Sequence, residues 1–334
     1  MSPIIRQRDF VEDDRGWLYA VVLPVESRHS SDALVVSLRY RRDLRGVLRK
    51  IDTAAAERLL SREGGGLVQF VEALGCEVAM LPRSQVRQHY SARERMTRLS
   101  SVILADSELT PLEVDRKKST EGFGEVALEE KAARVVRMFI ERGMSTDDFG
   151  ITGSMLVNAH RASSDLDFVF YSQEAFAVAR TLARESLNSP TDQRHWRDAY
   201  EKRCPSLGFD EFLWHEQRKA NKFWLAGTKV DLSLSRIRNG CRLPVNCRKL
   251  QEVVVRAVVT EDQFAFDTPA SWLIDCEEAE RLLCWTATYT AQAVVGEEVE
   301  IAGCLEETES GRQVVVGSSR EAEGEYIRVL KPAR

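Results

Sequence analysis

A short stretch of the chain combines a Gly-Ser pair with two closely spaced aspartates. Gly153 and Ser154 are followed, after ten residues, by Asp165-Leu166-Asp167. In an extended strand, residues i and i+2 point to the same face, so both carboxylates face one way while Leu166 faces the core. Two adjacent carboxylates repel each other unless a cation lies between them. The stretch therefore predicts a site for a nucleoside triphosphate and its metal ions.

A third carboxylate follows in a later strand-like run, where Asp231 lies between two apolar residues. Three carboxylates on adjacent buried strands are costly without a metal. In two-metal phosphoryl transfer, ions roughly 3.5–4 Å apart stabilise the attacking and leaving oxygens. We therefore predict Asp165, Asp167 and Asp231 to be both the catalytic residues and the metal ligands, holding Mg²⁺ or Mn²⁺ as a pair of ions. Asp231 is also a candidate to accept the proton of an attacking hydroxyl.

Five residues are predicted to bind the nucleotide. The hydroxyl of Ser154 and the backbone N–H groups around Gly153 are suited to triphosphate oxygens, because glycine allows a close backbone approach. Arg218, Lys219 and Lys222 lie at helical spacing just before the Asp231 strand, where a cation can contact the triphosphate. A solvated helix face explains these three cations equally well.

Other polar residues are weaker candidates. His160 lies between the Gly-Ser pair and the aspartates, but the chemistry requires no histidine there. His215 precedes Lys219 by four residues and would share its helix face. Gly317-Ser318-Ser319-Arg320 resembles a second phosphate loop, yet no Asp-x-Asp follows it, so a turn is the better interpretation.

The pattern of apolar residues predicts three folded regions, two of them α+β and the third made of β-strands. Residues 1–104 are predicted to form a small N-terminal α+β domain, 105–125 a polar linker, and 126–248 the catalytic domain with a mixed sheet and helices. In residues 249–334 the apolar residues alternate with a period of two, which predicts a small antiparallel barrel or sandwich. The predicted fold class is therefore α+β.

Individual elements follow from the same patterns. We predict helices at 53–62, 67–74, from 126 to a stop at Gly143, after a cap at Ser172, and at 209–224. We predict strands at 17–23, 33–40, 165–171, 229–234, 253–259, 272–274, 284–290, 299–305, 313–316 and 326–329, and residues 78–81 are a short apolar stretch.

Bulk composition is that of a globular protein. With 43% hydrophobic and 30% charged residues, the chain is apolar enough for packed cores, which argues against disorder. No apolar run approaches the roughly 18–20 residues that span a membrane, and the first residues lack the apolar core of a signal peptide. Seven cysteines without a C-x-x-C pair are typical of free thiols in a reducing compartment. We therefore expect a cytoplasmic protein without membrane association.

Charge is distributed unevenly along the chain. Residues 1–100 carry 17 basic against 13 acidic residues, whereas residues 249–334 carry 8 against 17. An acidic C-terminal region is a poor partner for a phosphate backbone and suits packing or a protein partner. Basic N-terminal segments near Tyr40 and Tyr90 favour an RNA 3′ end as acceptor over a protein or a small molecule, because stacking plus charge suits single strands.

Residues 151–171, ITGSMLVNAHRASSDLDFVFY, resemble the signature of the DNA polymerase β-like nucleotidyltransferase superfamily. That superfamily places a Gly-Ser pair, a short helix and Asp-x-Asp on neighbouring strands, with a third acid on a later strand. The matching positions here are Gly153, Ser154, Asp165, Asp167 and Asp231. A threonine precedes the glycine where a hydrophobic residue is usual. The resemblance implies a core of mixed sheet and helices and a nucleotidyl transfer reaction.

Longer motifs are similar to those of an archaeal-type "predicted nucleotidyltransferase" family. Its substrate is undefined, so this similarity implies a reaction class and no acceptor. The motifs are Arg8-Asp9-Phe10-Val11-Glu12, Leu38-Arg39-Tyr40, Phe212-Leu213-Trp214-His215-Glu216-Gln217-Arg218-Lys219, Ala265-Phe266-Asp267-Thr268-Pro269-Ala270 and Val316-Gly317-Ser318-Ser319-Arg320-Glu321.

Three functional classes fit these residues. The first is an enzyme that moves a nucleoside monophosphate from a nucleoside triphosphate to an acceptor hydroxyl and releases pyrophosphate. The second is a catalytically silent, nucleotide-binding regulatory module, against which the presence of all three acids counts. The third is a structural metal protein, which leaves the Gly-Ser pair without a purpose.

Overall fold

The computed structural model describes residues 4–25, 33–71, 76–105, 127–187, 193–203, 205–236, 247–317 and 323–333. Within them the chain is a mixed α+β protein with three sheets. Apart from residue 105, the predicted linker 105–125 lies outside this part of the chain, as do Ser318, Ser319 and Arg320.

The first sheet is antiparallel and lies between residues 10 and 90. Its strands run in the order β5-β6-β3-β2-β1-β7, with β4 added to β3. Helix α1 packs its buried Ala56 and Leu60 into the core of this sheet. The strands are β1 Phe10–Glu12, β2 Trp17–Val25, β3 Ala33–Arg42, β4 Leu48–Lys50, β5 Val68–Val71, β6 Cys76–Pro82 and β7 Gln88–Tyr90, and α1 is Thr53–Glu63.

The second sheet is mixed and contains the aspartates. Its four strands run in the order β10-β11-β9-β8, with β9 and β11 parallel and both outer pairs antiparallel. The strands are β8 Phe149–Thr152, β9 Leu166–Phe170, β10 Lys222–Leu225 and β11 Thr228–Leu234. The helices between residues 92 and 219 are α2 Ala92–Ala105, α3 Leu128–Glu141, α4 Gly153–Leu156, α5 Gln173–Leu187, α6 Gln193–Arg203 and α7 Phe209–Lys219.

Aromatic packing anchors this sheet. Phe139 on α3 lies edge-on to Phe149, Phe168 and Phe170, with ring centroids 5.2–5.3 Å apart. All four rings are fully buried, and edge-to-face packing stabilises such a cluster beyond its buried area. Alternation along β9 follows from this packing, because Phe168 and Phe170 face the core while Asp167 faces the other side.

The third sheet spans residues 247–331. Its pairings run β12-β13-β14-β16-β15 and return from β15 to β12, so these five strands close into a barrel, and β17 adds to β15. The strands are β12 Cys247–Phe264, β13 Ala270–Asp275, β14 Arg281–Cys284, β15 Glu298–Thr308, β16 Gly311–Val316 and β17 Tyr326–Lys331. One pair, β14 with β16, is parallel, so the prediction of a purely antiparallel sheet is wrong there.

Most predicted elements are confirmed, including the helix that ends before Gly143 and the Ser172 cap, whose hydroxyl accepts the Ala175 N–H at 3.1 Å. The predicted helix 67–74 is wrong over 68–71, which form β5 and pair antiparallel with β6, while residues 72–74 lie outside the described part of the chain. Cross-strand pairing overrides local helix propensity there. The predicted helix 209–224 ends at Lys219, because Ala220 adopts a left-handed conformation and Lys222–Leu225 pair with β11.

Further differences concern one strand and two helices. The predicted strand 284–290 ends at Cys284, and the chain then turns, with Tyr289 N–H bonded to Thr286 O. Helices α2 and α6 were not predicted. In the part of the chain that the structure describes, no helix has the length and apolarity needed to cross a membrane.

Candidate active site

A row of polar side chains crosses the second sheet from edge to edge. The pairing register sets Thr152 beside Asp167, Asp167 beside Asp231, and Asp231 beside Lys222. Directly paired residues on neighbouring strands point to the same face of a sheet, and the strands lie about 4.8 Å apart. The structure thus brings Asp167 and Asp231 together on one face. We call these two residues the carboxylate pair.

Gly153 comes directly after β8 and lies against the carboxylate pair. Its φ of +64° is a conformation that L side chains rarely adopt, and a Cβ there would come within 2.0 Å of the Asp167 Oδ2. Only glycine therefore lets the backbone approach this carboxylate so closely. Ser154 follows in the short helix α4 and is partly buried.

The charges of the carboxylate pair are mutually unfavourable. Burial of Asp167 raises its pKa to about 6, with the charge of Asp231 as the second cause. The cations Lys229 and Arg8 oppose this shift. Two carboxylates that repel each other in a partly desolvated site gain most from a bound cation.

Lys229 bridges two of the predicted ligands. Its Nζ lies 2.8 Å from Asp165 Oδ2 and 2.8 Å from Asp231 Oδ2. Burial lowers the lysine pKa, but the two carboxylates outweigh it and the net shift is upward. Lys229 was not predicted as a site residue. Its position two residues before Asp231 could have identified it, because alternation puts both on one face.

Arg8 approaches the same carboxylates from the N-terminal segment. Its φ is +74°, and its carbonyl accepts a hydrogen bond from Thr152 Oγ1 at 2.5 Å. The Arg8 side chain is exposed where it lines the cavity described below. Desolvation by the surrounding protein nevertheless lowers its pKa. The charges of Asp167 and Asp231 oppose that shift. An arginine held in a rarely populated backbone conformation beside partly buried carboxylates is a functional candidate.

The neighbouring Asp9 holds the backbone around Arg8. It is fully buried, and its carboxylate accepts the Arg6 N–H at 2.9 Å and the Ala92 N–H at 2.9 Å. His89 Nε2 lies 2.8 Å from the same carboxylate. The sequence motif around Arg8 was recognised, but its role was not, because the contact with the aspartates joins residues far apart in the chain.

Elements of all three sheets enclose a cavity of about 490 Å³ beside the carboxylate pair. We call it the inter-sheet cavity. Arg8, Arg39, Gly153 and the carboxylate pair line it, together with Lys222 and, from the barrel region, Trp285. A second cavity of about 470 Å³ is lined by Asp165, Lys229 and Lys131. Both volumes are typical of small-molecule sites.

The three predicted triphosphate cations have different surroundings. Lys222 lines the inter-sheet cavity, with its Nζ 2.5 Å from Glu216 Oε2. Arg218 is instead paired with Glu297 at 2.5 Å, and Lys219 lies 2.7 Å from Glu216 Oε1. Neither Arg218 nor Lys219 lines this cavity. Burial lowers the pKa of Lys219 to about 8, although Glu216 opposes the shift.

Neither candidate histidine lines the two cavities. His215 is buried, which lowers its pKa to about 3, so the ring is neutral near pH 7. His160 Nε2 lies 2.5 Å from Glu129 Oε1 and lines neither cavity.

A divalent cation such as Mg²⁺ requires several oxygen ligands. Among the described residues, no three His, Cys, Asp or Glu side chains are gathered around one point. The carboxylate pair itself fits Mg²⁺ or Mn²⁺, which prefer carboxylate oxygens and would relieve the repulsion. Asp165 is held by Lys229 and must release it before it can serve as a ligand.

The chain is similar to an uncharacterized protein, MJ1086, of Methanocaldococcus jannaschii, with 30% identity over 221 residues. The match covers 61% of this chain and 65% of that protein, so the chain spans less than two thirds of its relative's length. No family profile matches the chain, and no solved structure is significantly similar to it. The function of the site must therefore be inferred from its own residues.

Replacing Gly153 by alanine tests the close approach to Asp167. We expect Gly153→Ala to lose binding of a magnesium–triphosphate analogue, because its Cβ would displace the Asp167 carboxylate. Gly143→Ala is the matched control, since Gly143 has a φ of +84° and open space around it. Both variants should lose about 1–2 kcal/mol of stability through the left-handed backbone. Isothermal titration calorimetry should show lost binding in Gly153→Ala alone; equal affinities for the analogue would contradict the role of Gly153.

The raised pKa of Asp167 predicts a pH-dependent stability. Between the ordinary value of 3.8 and the folded value of about 6, the unfolded state loses its proton first, so stability is lost as the pH rises. In metal-free buffer, Asp167→Asn should therefore gain stability over the wild type from pH 4 to pH 7, on the order of 1–2 kcal/mol after allowance for solvent access. Urea denaturation at each pH measures it, with exposed Asp147→Asn as control. A gain that does not change with pH would contradict the prediction.

Proposed function

We propose that the chain is a metal-dependent nucleotidyltransferase. It would transfer a nucleoside monophosphate from a nucleoside triphosphate to an acceptor hydroxyl and release pyrophosphate. The observation that supports this most strongly is the pairing of Asp167 with Asp231 on adjacent parallel strands, against which Gly153 is packed without a side chain. The resemblance of the Gly153–Asp167 stretch to the polymerase β-like signature agrees with this reading.

The reaction requires charge neutralisation and positioning more than covalent chemistry by the protein. The acceptor oxygen forms a bond to the α-phosphorus, the bond between the α-phosphorus and the bridging oxygen breaks, and pyrophosphate leaves with that electron pair. Mg²⁺ or Mn²⁺, when bound, would supply charge neutralisation for the phosphate oxygens. Asp167 and Asp231 would hold it, and Asp165 would join them after release from Lys229.

Residues of the chain would carry the remaining steps. Asp231 is the candidate acceptor for the hydroxyl proton. Gly153 and Ser154 would position phosphate oxygens, and Lys222 and Arg8 would add positive charge at the edge of the carboxylate pair. Arg218 and Lys219 are assigned a structural role in this proposal, because their present partners are Glu297 and Glu216.

A catalytically silent nucleotide-binding module is the second candidate, and one observation favours it. Lys229 neutralises Asp165 and Asp231 directly, so this fold has a cation of its own beside the carboxylates. A silent module would keep Lys229 in place with nucleotide bound, whereas an enzyme would release Asp165.

Pyrophosphate release tests the enzymatic proposal. Each of the four ribonucleoside triphosphates is incubated with magnesium, the full chain and a cell extract freed of large proteins as acceptor source. We expect release by the wild type and at least about a hundredfold less in Asp167→Asn and Asp231→Asn, since even residues behind metal ligands contribute 10–100-fold. Asp147→Asn, an exposed aspartate away from the site, should match the wild type.

Binding measured in parallel separates the candidates. The silent module would be favoured if a non-hydrolysable triphosphate binds in a magnesium-dependent way while no extract supports pyrophosphate release from the four natural triphosphates. Equal release by the wild type and both aspartate variants would contradict the enzymatic proposal, because the signal would then come from a contaminant.

A further inference from the structure

Two arginines from the N-terminal part of the chain line the inter-sheet cavity. Arg8 lies in the loop before β1, and Arg39 lies on β3, so the two come from different segments of the first sheet region. Both are near the carboxylate pair, which belongs to the second sheet. The N-terminal region thus adds two positive charges to a cavity whose carboxylates belong to the second sheet.

Neither guanidinium group is held by a direct ion pair among the described residues, although the charges of Asp167 and Asp231 act on Arg8 from a distance. In the described parts of the chain, neither Arg8 nor Arg39 forms an ion pair within 4.0 Å of an acidic side chain. The charge of Arg39 is also one cause of the lowered pKa of Arg8, so the two groups repel each other. Two partly enclosed guanidinium groups that repel each other are stabilised by a shared anion. Phosphate fits best, because its oxygens accept bidentate hydrogen bonds from arginine.

The shape of the cavity favours a small molecule. Its volume of about 490 Å³ lies within the range of small-ligand sites, and residues of all three sheets line it. Trp285 supplies part of the wall and packs against Leu23 and Val35 of the first sheet, so the barrel and the first sheet meet there. A polynucleotide would need an open groove along which several nucleotides run.

The aromatic residues that favoured RNA in the sequence are engaged elsewhere. Tyr40 is only 5% exposed and packs against Phe10, with ring centroids 6.1 Å apart. The Tyr90 hydroxyl donates to Glu12 Oε2 at 2.5 Å, and Arg42 is paired with the same glutamate. Stacking of bases on these rings, which was the reason to expect RNA, is therefore not supported by their packing.

We propose that Arg8 and Arg39 form an anion subsite in the inter-sheet cavity, and that it binds a phosphate group of a small molecule instead of a polynucleotide backbone. The inference rests on the proposed function for the reaction that takes place beside it. The phosphate belongs either to the triphosphate of the donor or to a phosphorylated acceptor, and both sources present the same chemistry to the arginines.

Binding of inorganic phosphate to the full chain, without divalent ions, tests the subsite directly. We expect saturable binding by calorimetry in the wild type, at least tenfold weaker binding in Arg39→Gln, and less than a twofold change in Arg41→Gln. Arg41 is an exposed arginine on the same strand that does not line the cavity, so it controls for net charge. Equal affinities in the two variants, or no binding by a folded wild type, would overturn the proposal.

A single-stranded RNA of twelve nucleotides serves as the competing ligand class. The subsite predicts that RNA does not displace phosphate and that Arg39→Gln leaves any RNA affinity within twofold of that of Arg41→Gln. RNA binding that depends on Arg39 and excludes phosphate would overturn the small-molecule assignment.

A magnesium–triphosphate analogue distinguishes the two sources and separates this inference from the proposed function. Displacement of phosphate by the analogue assigns the subsite to the donor, whereas simultaneous binding assigns it to a phosphorylated acceptor; both outcomes support the subsite. Asp167→Asn should abolish binding of the analogue and retain binding of phosphate. Failure of the analogue to bind the wild type, with phosphate binding intact, would reject the proposed function and leave the subsite standing.

Discussion

Repulsion between Asp167 and Asp231 is the constraint around which the site is organised. The two carboxylates are neighbours on parallel strands whose opposite faces are fixed by the phenylalanine core, so neither side chain can turn away without breaking the alternation of its strand. Their repulsion must be met by positive charge. In this structure Lys229 and Arg8 provide it, and in the proposed enzyme a divalent cation would take over much of that role.

The three sheets contribute different parts of the surrounding site. The second sheet supplies the carboxylates, the first supplies Arg8 and Arg39, and the barrel region supplies Trp285. Helix α7 connects these parts, because Arg218 binds Glu297 while the Lys219 ammonium donates to the Thr288 carbonyl at 2.7 Å. Arg218 and Lys219, which the sequence suggested for the triphosphate, thus hold α7 and the second sheet against the barrel. This arrangement places the inter-sheet cavity where all three regions meet.

Local periodicity was enough to predict the elements around this site. Alternation predicted that Asp165 and Asp167 share one face of a strand and put Asp231 on a later strand, and the apolar stripe of α3 predicted the helix that buries Phe139. The pairing of Asp167 with Asp231 comes instead from the register of β9 and β11. Long-range pairing could not be predicted in the same way. Helical spacing identifies a cationic face on α7 but does not say which acid it meets, and Arg8 reaches the aspartates across more than 150 residues. Tyr40 beside arginines suggested RNA, whereas its burial depends on Phe10, a residue of another strand.

Direct detection of Mn²⁺ tests the central claim that the carboxylate pair is a metal-dependent triphosphate site. Electron paramagnetic resonance of Mn²⁺ is recorded with the full chain and a non-hydrolysable nucleoside triphosphate, for the wild type and Asp231→Asn. We expect tight Mn²⁺ binding by the wild type that strengthens with the triphosphate, and a loss of at least tenfold in the variant. Equal Mn²⁺ affinities in the two proteins, with and without triphosphate, would contradict it.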